Sequence, residues 1–580
     1  MAKKIITVFF ILILLGNIVS AYSIKNTVKN NSQSDNYNIL DTATIYVDDD
    51  NTNGPWDGSR EHPYKEIWRG LEEAFQGDNV YVLSGTYTYV ETTIKIEKSI
   101  SLIGENRKNT VIDGYNKKNV VEIKADNVKL HGFTIKNSGE GYSGISISSN
   151  SNIIYDNLIS DNSRGIYIES YSKNNIIYDN DLVNNGVVTF SLNEHEIYDN
   201  TINGKILVYK YEQSNQKITD AGQVILVKCS DIKIKNCDLS YASIGITVLN
   251  CENCNIINTS ISNNKYGIYV SSSTGIWITV EPMDFETNNK IFENDIGIYF
   301  ILTKGYISNN KIYENKEKGI FLSDSDGCSI YGNVINENNG AGIHLKHYSD
   351  ENSIYDNYID KNQGPGLLIE YNSNENQIYH NQFYDNSPNA EQIRCQENTY
   401  NIIESGVGSG NYWNDYEEIY PDIEHNGKYW DDPYEISDNC KDNYPLIQPY
   451  GNPYPPKVYG KQKIGKGKEY TFTAKSTDPR LGTGGYDLYY FFDWGDGNNS
   501  GWIGPYKENK KVESSHTWYK VENFEVKVKV KNKYNWTSGW SEPISISVSE
   551  SDSNKKFFDI FKYDSFQIRD IFLKILLNLV

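Results

Sequence analysis

Between residues 329 and 386, apolar and polar positions follow one pattern three times. Ser329-Ile-Tyr-Gly-Asn333-Val-Ile335-Asn-Glu-Asn338 returns 24 positions later as Ser353-Ile-Tyr-Asp-Asn357-Tyr-Ile359-Asp-Lys-Asn362, then as Gln377-Ile-Tyr-His-Asn381-Gln-Phe383-Tyr-Asp-Asn386. Each unit also carries a short alternating run, Gly342-Ile343-His344-Leu345 or Gly366-Leu367-Leu368-Ile369, bounded by Gly, Asn and Ser clusters. Alternation predicts strands, the clusters predict turns, and too little chain is left between them for helices. A supersecondary unit repeated at this period is a solenoid. Three short strands and three turns make one coil of a parallel β-helix, stacked on the next at roughly 4.8 Å. The alternation sends Ile330, Ile335, Ile343 and Leu345 inward, beneath Ile354, Ile359, Leu367 and Ile369. Asn333, Asn357 and Asn381 fall in register at a bend, where inward amides can bond turn backbone and each other as a ladder.

The same phrase, Ile-Tyr-Asp/Glu-Asn, occurs at Ile154, Ile177, Ile197 and Ile312, so coils extend over 116–394. Residues 1–21 place Lys3 and Lys4 before an apolar run, Ile5 to Leu15, and a small-residue Val19-Ser20-Ala21 site, the layout of a secretory leader. A polar spacer, 22–43, follows. In 44–115, apolar residues at helical spacing between His62 and Phe75 predict a helix, with strands at Val80–Val82, Gly85–Tyr87, Ile94–Ile96 and Ile100–Gly104. An amphipathic helix there would cap the open end of the β-helix. The phrase breaks between Gly204 and Cys229, and 276–290 reads as an insertion. Residues 395–450 close the β-helix, the prolines of 451–457 form a stiff linker, and 458–549 alternates as a separate sandwich. In the tail, 550–580, apolar residues recur at helical spacing over 556–580. With Arg569, Asp570 and Lys574 among them it is too charged to span a bilayer, leaving surface docking or packing on the sandwich.

The cap segment, with its Pro63-Tyr64 helix start, Gly77-Asp78 turn and Gly85-Thr-Tyr87 strand, resembles that of the pectin-lyase-like right-handed β-helix proteins. Ala221-Gly-Gln-Val224, Asn236-Cys237, Gly410-Asn-Tyr-Trp413 and Tyr444-Pro-Leu446 resemble the NosD-type family, also described as carbohydrate-binding and sugar-hydrolase β-helices, over about 45–450. Trp494-Gly-Asp-Gly497, with Ser515-His-Thr-Trp518 downstream, resembles a PKD-type immunoglobulin-like sandwich. Asp493 and Asp496 are then turn formers. The resemblance implies an all-β chain, a right-handed parallel β-helix followed by a PKD domain. Relatives often carry a calcium-like loop before the Tyr-Pro-Leu signature. Here Asp422, Glu424 and Asn426 stand at positions 1, 3 and 5 with Gly427 at 6 and Asp432 beyond, but Pro433 occupies position 12. Calcium and a plain turn both stay open. Copper delivery, which the NosD resemblance raises, wants clustered Met, Cys or His. Past the leader only Met283 remains, and His344 and His347 are an odd number of residues apart on a strand-like run.

A formal charge of −21 argues against nucleic-acid and anionic-membrane partners. Seven cysteines are an odd count; Cys229 and Cys251, in register, read as buried small hydrophobes, while Cys395 and Cys440 bracket the terminal cap and could bridge. Asp326 and Asp350 are in register one coil apart, a short carboxylate separation that retaining glycosidases use, and are the candidate catalytic pair. Exposed turns also favour such acids, and no Arg or paired-Asp phrase accompanies them. Lys346 and Glu370 read as a cross-coil ion pair. Tyr171, Tyr348 and Tyr371 are candidates for stacking on sugar rings. A flat face of about fifteen coils, roughly 70 Å long, suits a polymer. The reading is a secreted or cell-surface, non-catalytic protein binding extended polysaccharide or cell-surface glycan, or acting in surface adhesion. The alternatives are a polysaccharide hydrolase, lyase or epimerase, a surface-layer component, and a copper-delivery protein.

Overall fold

The computed structural model describes residues 42–550 apart from 53, 89–91, 281–287, 405–406, 426–428, 438, 448, 451–452, 478–486 and 533–536. The leader, the spacer up to residue 41, Asn426 and the 556–580 tail lie outside the described residues. Among those described, no helix is long and apolar enough to cross a membrane.

The alternating runs form short strands in stacked parallel sheets. One sheet carries 15 strands, from Gly85–Thr88 to Ala390–Ile393; beside it run sheets of seven and five strands in the first half and two of eight in the second. The eight predicted core residues are all fully buried. Their registers are those of the repeat, Ile330 on Ile354, Ile335 on Ile359, Ile343 on Leu367 and Leu345 on Ile369. The amide ladder also forms. Asn333 Nδ2 donates to Asn357 Oδ1 at 2.9 Å, Asn357 to Asn381 at 2.9 Å and Asn381 to Asn411 at 3.0 Å. A second ladder runs through Asn294, Asn315, Asn338, Asn362 and Asn386 at another bend. Ile-Tyr-X-Asn therefore means core, outer face, turn and ladder in that order. Its tyrosines stack outside, with ring centroids 5.0 Å apart for Tyr331–Tyr355 and 5.2 Å for Tyr355–Tyr379.

Glycines of successive coils line up beside the second ladder. A Cβ on Gly319 would lie 2.6 Å from the Gly342 carbonyl oxygen and 3.1 Å from Asn338 Nδ2 and Ile335 Cγ2. Gly319→Ala should therefore overpack the coil and cost roughly 1–3 kcal/mol, read as a lower urea midpoint at unchanged slope.

At the break, Thr201–Ile202 turns back through Asn203-Gly204 as an antiparallel pair with Lys205–Tyr211, which then pairs parallel with Ala221–Val227. The fully buried Gln223 joins the last strand of the five-stranded sheet to its new neighbours: Oε1 accepts from Val187 N (3.0 Å), and Nε2 donates to Val187 O (2.7 Å) and Ile244 O (2.9 Å). An apolar residue there would orphan those backbone groups.

Three expectations need correction. The cap helix spans only Ile67–Glu73. Two turns present one narrow stripe, so Ile67, Leu71 and Ala74 are buried while Trp68 and Phe75 are 51% and 76% exposed. The insertion is narrower than 276–290, because Thr274–Thr279 is a regular coil strand with Ile276 and Ile278 buried, and Lys290–Phe292 resumes the next. Cys395 and Cys440 are not bridged; all seven cysteines are free. Cys229 and Cys251 do stack in the core, where Cys251 Sγ accepts from Cys229 N at 3.2 Å. Ser273 and Ser325 hydroxyls serve as backbone N–H acceptors at the equivalent bends of later coils.

The C-terminal end is closed by Trp413, stacked between Phe383 (4.5 Å) and Tyr434 (4.1 Å). Asp442, fully buried, accepts from Asn411 N (2.6 Å), Trp413 Nε1 (3.0 Å) and Tyr444 N (2.9 Å). Beyond it, strands between Lys457 and Ser549 form sheets of three and five strands around one core that includes Phe472, Phe492, Trp494 and Trp518.

Candidate functional site

Alternation places every second residue of the 15-stranded sheet outside, and coil stacking turns those residues into columns. In the second half one column is aromatic. Tyr269, Tyr299, Phe321 and His344 are register partners on consecutive coils. Their ring centroids are 5.4, 4.7 and 4.9 Å apart. Tyr266 adds a ring 5.6 Å from Tyr269. Burial raises both of these phenols, that of Tyr269 to about 12, so they stay neutral hydroxyls.

The column ends in charge. Lys318 Nζ lies 4.8 Å over the Phe321 ring. His344 Nε2 is 2.9 Å from Glu370 Oε2, which also meets Lys346 Nζ at 3.8 Å as the sequence predicted. Burial, and secondarily Lys318, push His344 down to about 4 against the opposing pull of Glu370. At neutral pH the ring is therefore uncharged and its Nε2–H donates to the carboxylate.

Beside the column, just before its strands begin, lies a polar recess of about 500 Å³, lined among others by Glu140, Ser163, Tyr241, Lys265, Asp295 and Lys316. Lys316 pairs with Asp295 at 3.2 Å. Ser243 holds the wall together, its Oγ accepting from Gly186 N at 3.1 Å. Lys265 Nζ reaches to 5.9 Å from the Tyr266 ring, joining recess and column. Ring faces beside water-exposed donors and acceptors of both charges are what a polyhydroxylated ligand needs.

The nominated residues stand elsewhere. Tyr171, Tyr348 and Tyr371 are exposed by 67%, 60% and 37%. Tyr348 and Tyr371 occupy left-handed turn positions. Tyr371 lies under Lys346 (4.9 Å) and Arg394 (5.4 Å), so it borders the charged end of the column. Asp326 and Asp350 are stacked turn acceptors: Asp326 Oδ1 takes Asp350 N at 2.8 Å, and Asp350 Oδ1 takes Asn374 N at 2.6 Å. Asp422, Glu424 and Asp432 are exposed, and Asp431 N bonds Glu424 O at 3.1 Å in a small hairpin. The aromatic column went unseen in the sequence because its members are spaced by 30, 22 and 23 residues. Its one signal was an aromatic after each Gly-Ile pair: Tyr269, Tyr299 and Phe321.

The family model described as "Periplasmic copper-binding protein (NosD)" matches residues 80–205 and 198–418. No curated protein matches the chain. Among solved structures, the periplasmic alginate epimerase AlgG is similar at 14% identity over 58% of this chain and 69% of that one, TM-score 0.27. A rhamnogalacturonan lyase is similar at 14% identity over 67% and 90%, TM-score 0.24. The PKD domain of an M14-like peptidase from Thermoplasmatales archaeon SCGC AB-540-F20 is similar at 33% identity over 17% of this chain and 98% of that domain, TM-score 0.16. The described residues do not fit the copper of the family's description. No three His, Cys, Asp or Glu gather as a metal site among them. The core thiols of Cys229 and Cys251 belong to the backbone ladder, and His344 and His347 face Glu370 and Ser323 respectively.

Proposed function

This chain belongs to the NosD family of β-helix proteins, and on that premise we propose that it is an exported protein that binds extended polysaccharide along the outer face of its 15-stranded sheet. One observation carries the reading: the continuous Tyr269–Tyr299–Phe321 column, flanked by a polar recess and bordered by Lys318, Lys346 and Glu370. Apolar ring faces suit the faces of sugar rings, and repetition at the coil spacing suits a polymer. Export is supported by the leader-like 1–21 and by the word periplasmic in the family's description. Binding without catalysis is supported by Asp326 and Asp350, whose oxygens accept turn N–H groups.

The C-terminal sheets are read as a PKD-type sandwich over 458–549. Supporting this, Gly495 N bonds Asp493 Oδ1 at 3.0 Å, Asp496 Oδ2 lies 2.8 Å from His516 Nε2, and Trp518 Nε1 donates to Trp494 O at 3.2 Å. These carboxylates act as turn formers.

A glycan array and a reducing-end release assay on the same protein, with and without calcium, test the function. Retention without release is expected, and Tyr299→Ala and Phe321→Ala should each weaken it about tenfold if one ring stack is lost. Sugar release would make the protein an enzyme. Loss of retention in chelator would bring in the 422–432 loop, and silence in both assays would discard the reading in favour of a structural surface component.

A further inference from the structure

The C-terminal sheets carry a second, unrelated ring surface. In strand Asn523–Asn532, Phe524, Val526, Val528 and Val530 are buried and the lysines between them point outward. Lys529 faces Phe491 and Lys531 faces Tyr489 across the strand pair, and Phe491 in turn faces Trp502. Lys529 Nζ lies 4.7 Å from the Trp540 ring centroid, 5.3 Å from Phe491 and 5.7 Å from Trp502. Lys531 Nζ lies 4.8 Å from Trp502. Trp502 and Trp540 are nevertheless 37% and 41% exposed. Beside Trp540 a recess of about 320 Å³ opens, walled by Pro455, Pro456, Val458 and Pro543, with Lys457 and Glu542 at its rim.

We infer that this face is a separate binding surface for an anionic polysaccharide, the tryptophans taking sugar rings and Lys529 and Lys531 taking the acid groups. Two tryptophans left wet on one flat sheet face lack the burial that normally repays such side chains. The Lys529 ammonium stands among three rings, Trp540, Phe491 and Trp502, on a chain of net charge −21. A nucleic acid, with a charge about every 1.7 Å, demands many more phosphate contacts than two lysines provide. The neighbouring edge strand, Asn499–Tyr506, contains Gly501, Gly504 and Pro505, which discourages a peptide from adding as a further strand.

The inference shares a glycan partner with the proposed function but none of its residues, so the two fail separately. The test is retention of the full chain on immobilised polygalacturonate, with dextran gel and phosphatidylglycerol vesicles in parallel. Trp540→Ala and Trp502→Ala should each weaken polygalacturonate retention about tenfold. Lys529→Gln, which leaves every ring in place and so stays informative if a tryptophan variant folds poorly, should weaken it several-fold and flatten its salt dependence. Phe321→Ala should leave the contribution of these residues intact. Unchanged retention in Lys529→Gln and both tryptophan variants overturns the inference. Equal retention on dextran that falls in the Trp502→Ala, Trp540→Ala and Lys529→Gln variants overturns the anionic class, and vesicle capture that falls in those variants without gel retention overturns it in favour of a membrane surface.

Discussion

Asn357→Ala is expected to cut the β-helix in two: a single unfolding transition becomes two, with a loss of roughly 3–5 kcal/mol at the altered coil. The Asn357 Nδ2 lies 2.8 Å from Ile330 O, 3.0 Å from Tyr355 O and 2.9 Å from Asn381 Oδ1. Its Oδ1 accepts from Asn333 N at 3.1 Å and Asn333 Nδ2 at 2.9 Å. Truncation orphans groups on the coils above and below in a fully buried position, where each lost partner costs about 1–3 kcal/mol before any water enters. A solenoid coil contacts only its neighbours, so damage at one coil uncouples the segments on either side. Urea unfolding followed by hydrogen exchange at both ends should show separated midpoints. Asn357→Asp should be worse at neutral pH despite its matching shape, since it turns an oxygen towards three acceptors. Ile354→Val, one methylene smaller in the same coil, should cost only about 1 kcal/mol and keep a single transition. Coincident midpoints in Asn357→Ala would show that the amide ladder does not couple the coils.

The second large effect is a pH dependence at the C-terminal cap. Burial pushes the Asp442 carboxyl up to about 7, although four N–H donors favour its ionised form. Cys440, on the same strand, and Tyr434, paired with Asp442 across the hairpin, are nearby titratable groups, and burial pushes both up, the thiol to about 12. The folded value lies above the roughly 3.9 of a free carboxylate, so the native cap binds the proton more tightly than the unfolded chain. Stability from this group is therefore complete below about pH 4 and is lost as pH rises through 7, by up to about 4 kcal/mol. Hydrogen exchange over 407–446, corrected for intrinsic rates, should show weaker protection at pH 8 than at pH 5.5. Asp442→Asn should abolish that difference but lower protection at both pH values, because its amide NH₂ must face an N–H donor. A slope that survives in Asp442→Asn would assign the effect to another group.

Much of this was readable from residues alone. The Ile-Tyr-X-Asn phrase determined which side chains are core, which are outer and where the amide ladder runs, because strand alternation and the 24-residue spacing over 329–386 leave one consistent register. Gln223 illustrates the intermediate case. Its pattern was visible as a marker, but its role of stitching Val187 to Ile244 came only with the fold, since those partners lie 36 and 21 residues away on different strands.

Sequence by itself thus determined the solenoid, its core and its bends, since those follow from local periodicity and from contacts between equivalent positions of adjacent coils. Tertiary structure decided which outer residues share a face. Coils of unequal length shift the numbering but not the stacking, so Tyr269, Tyr299 and Phe321 become neighbours while Asp326 and Asp350, in perfect numerical register, turn out to cap turns. It also decided that Lys529 and Trp540 meet, and that Asp442 is sealed from water, because burial depends on what closes over a residue rather than on what flanks it in the chain.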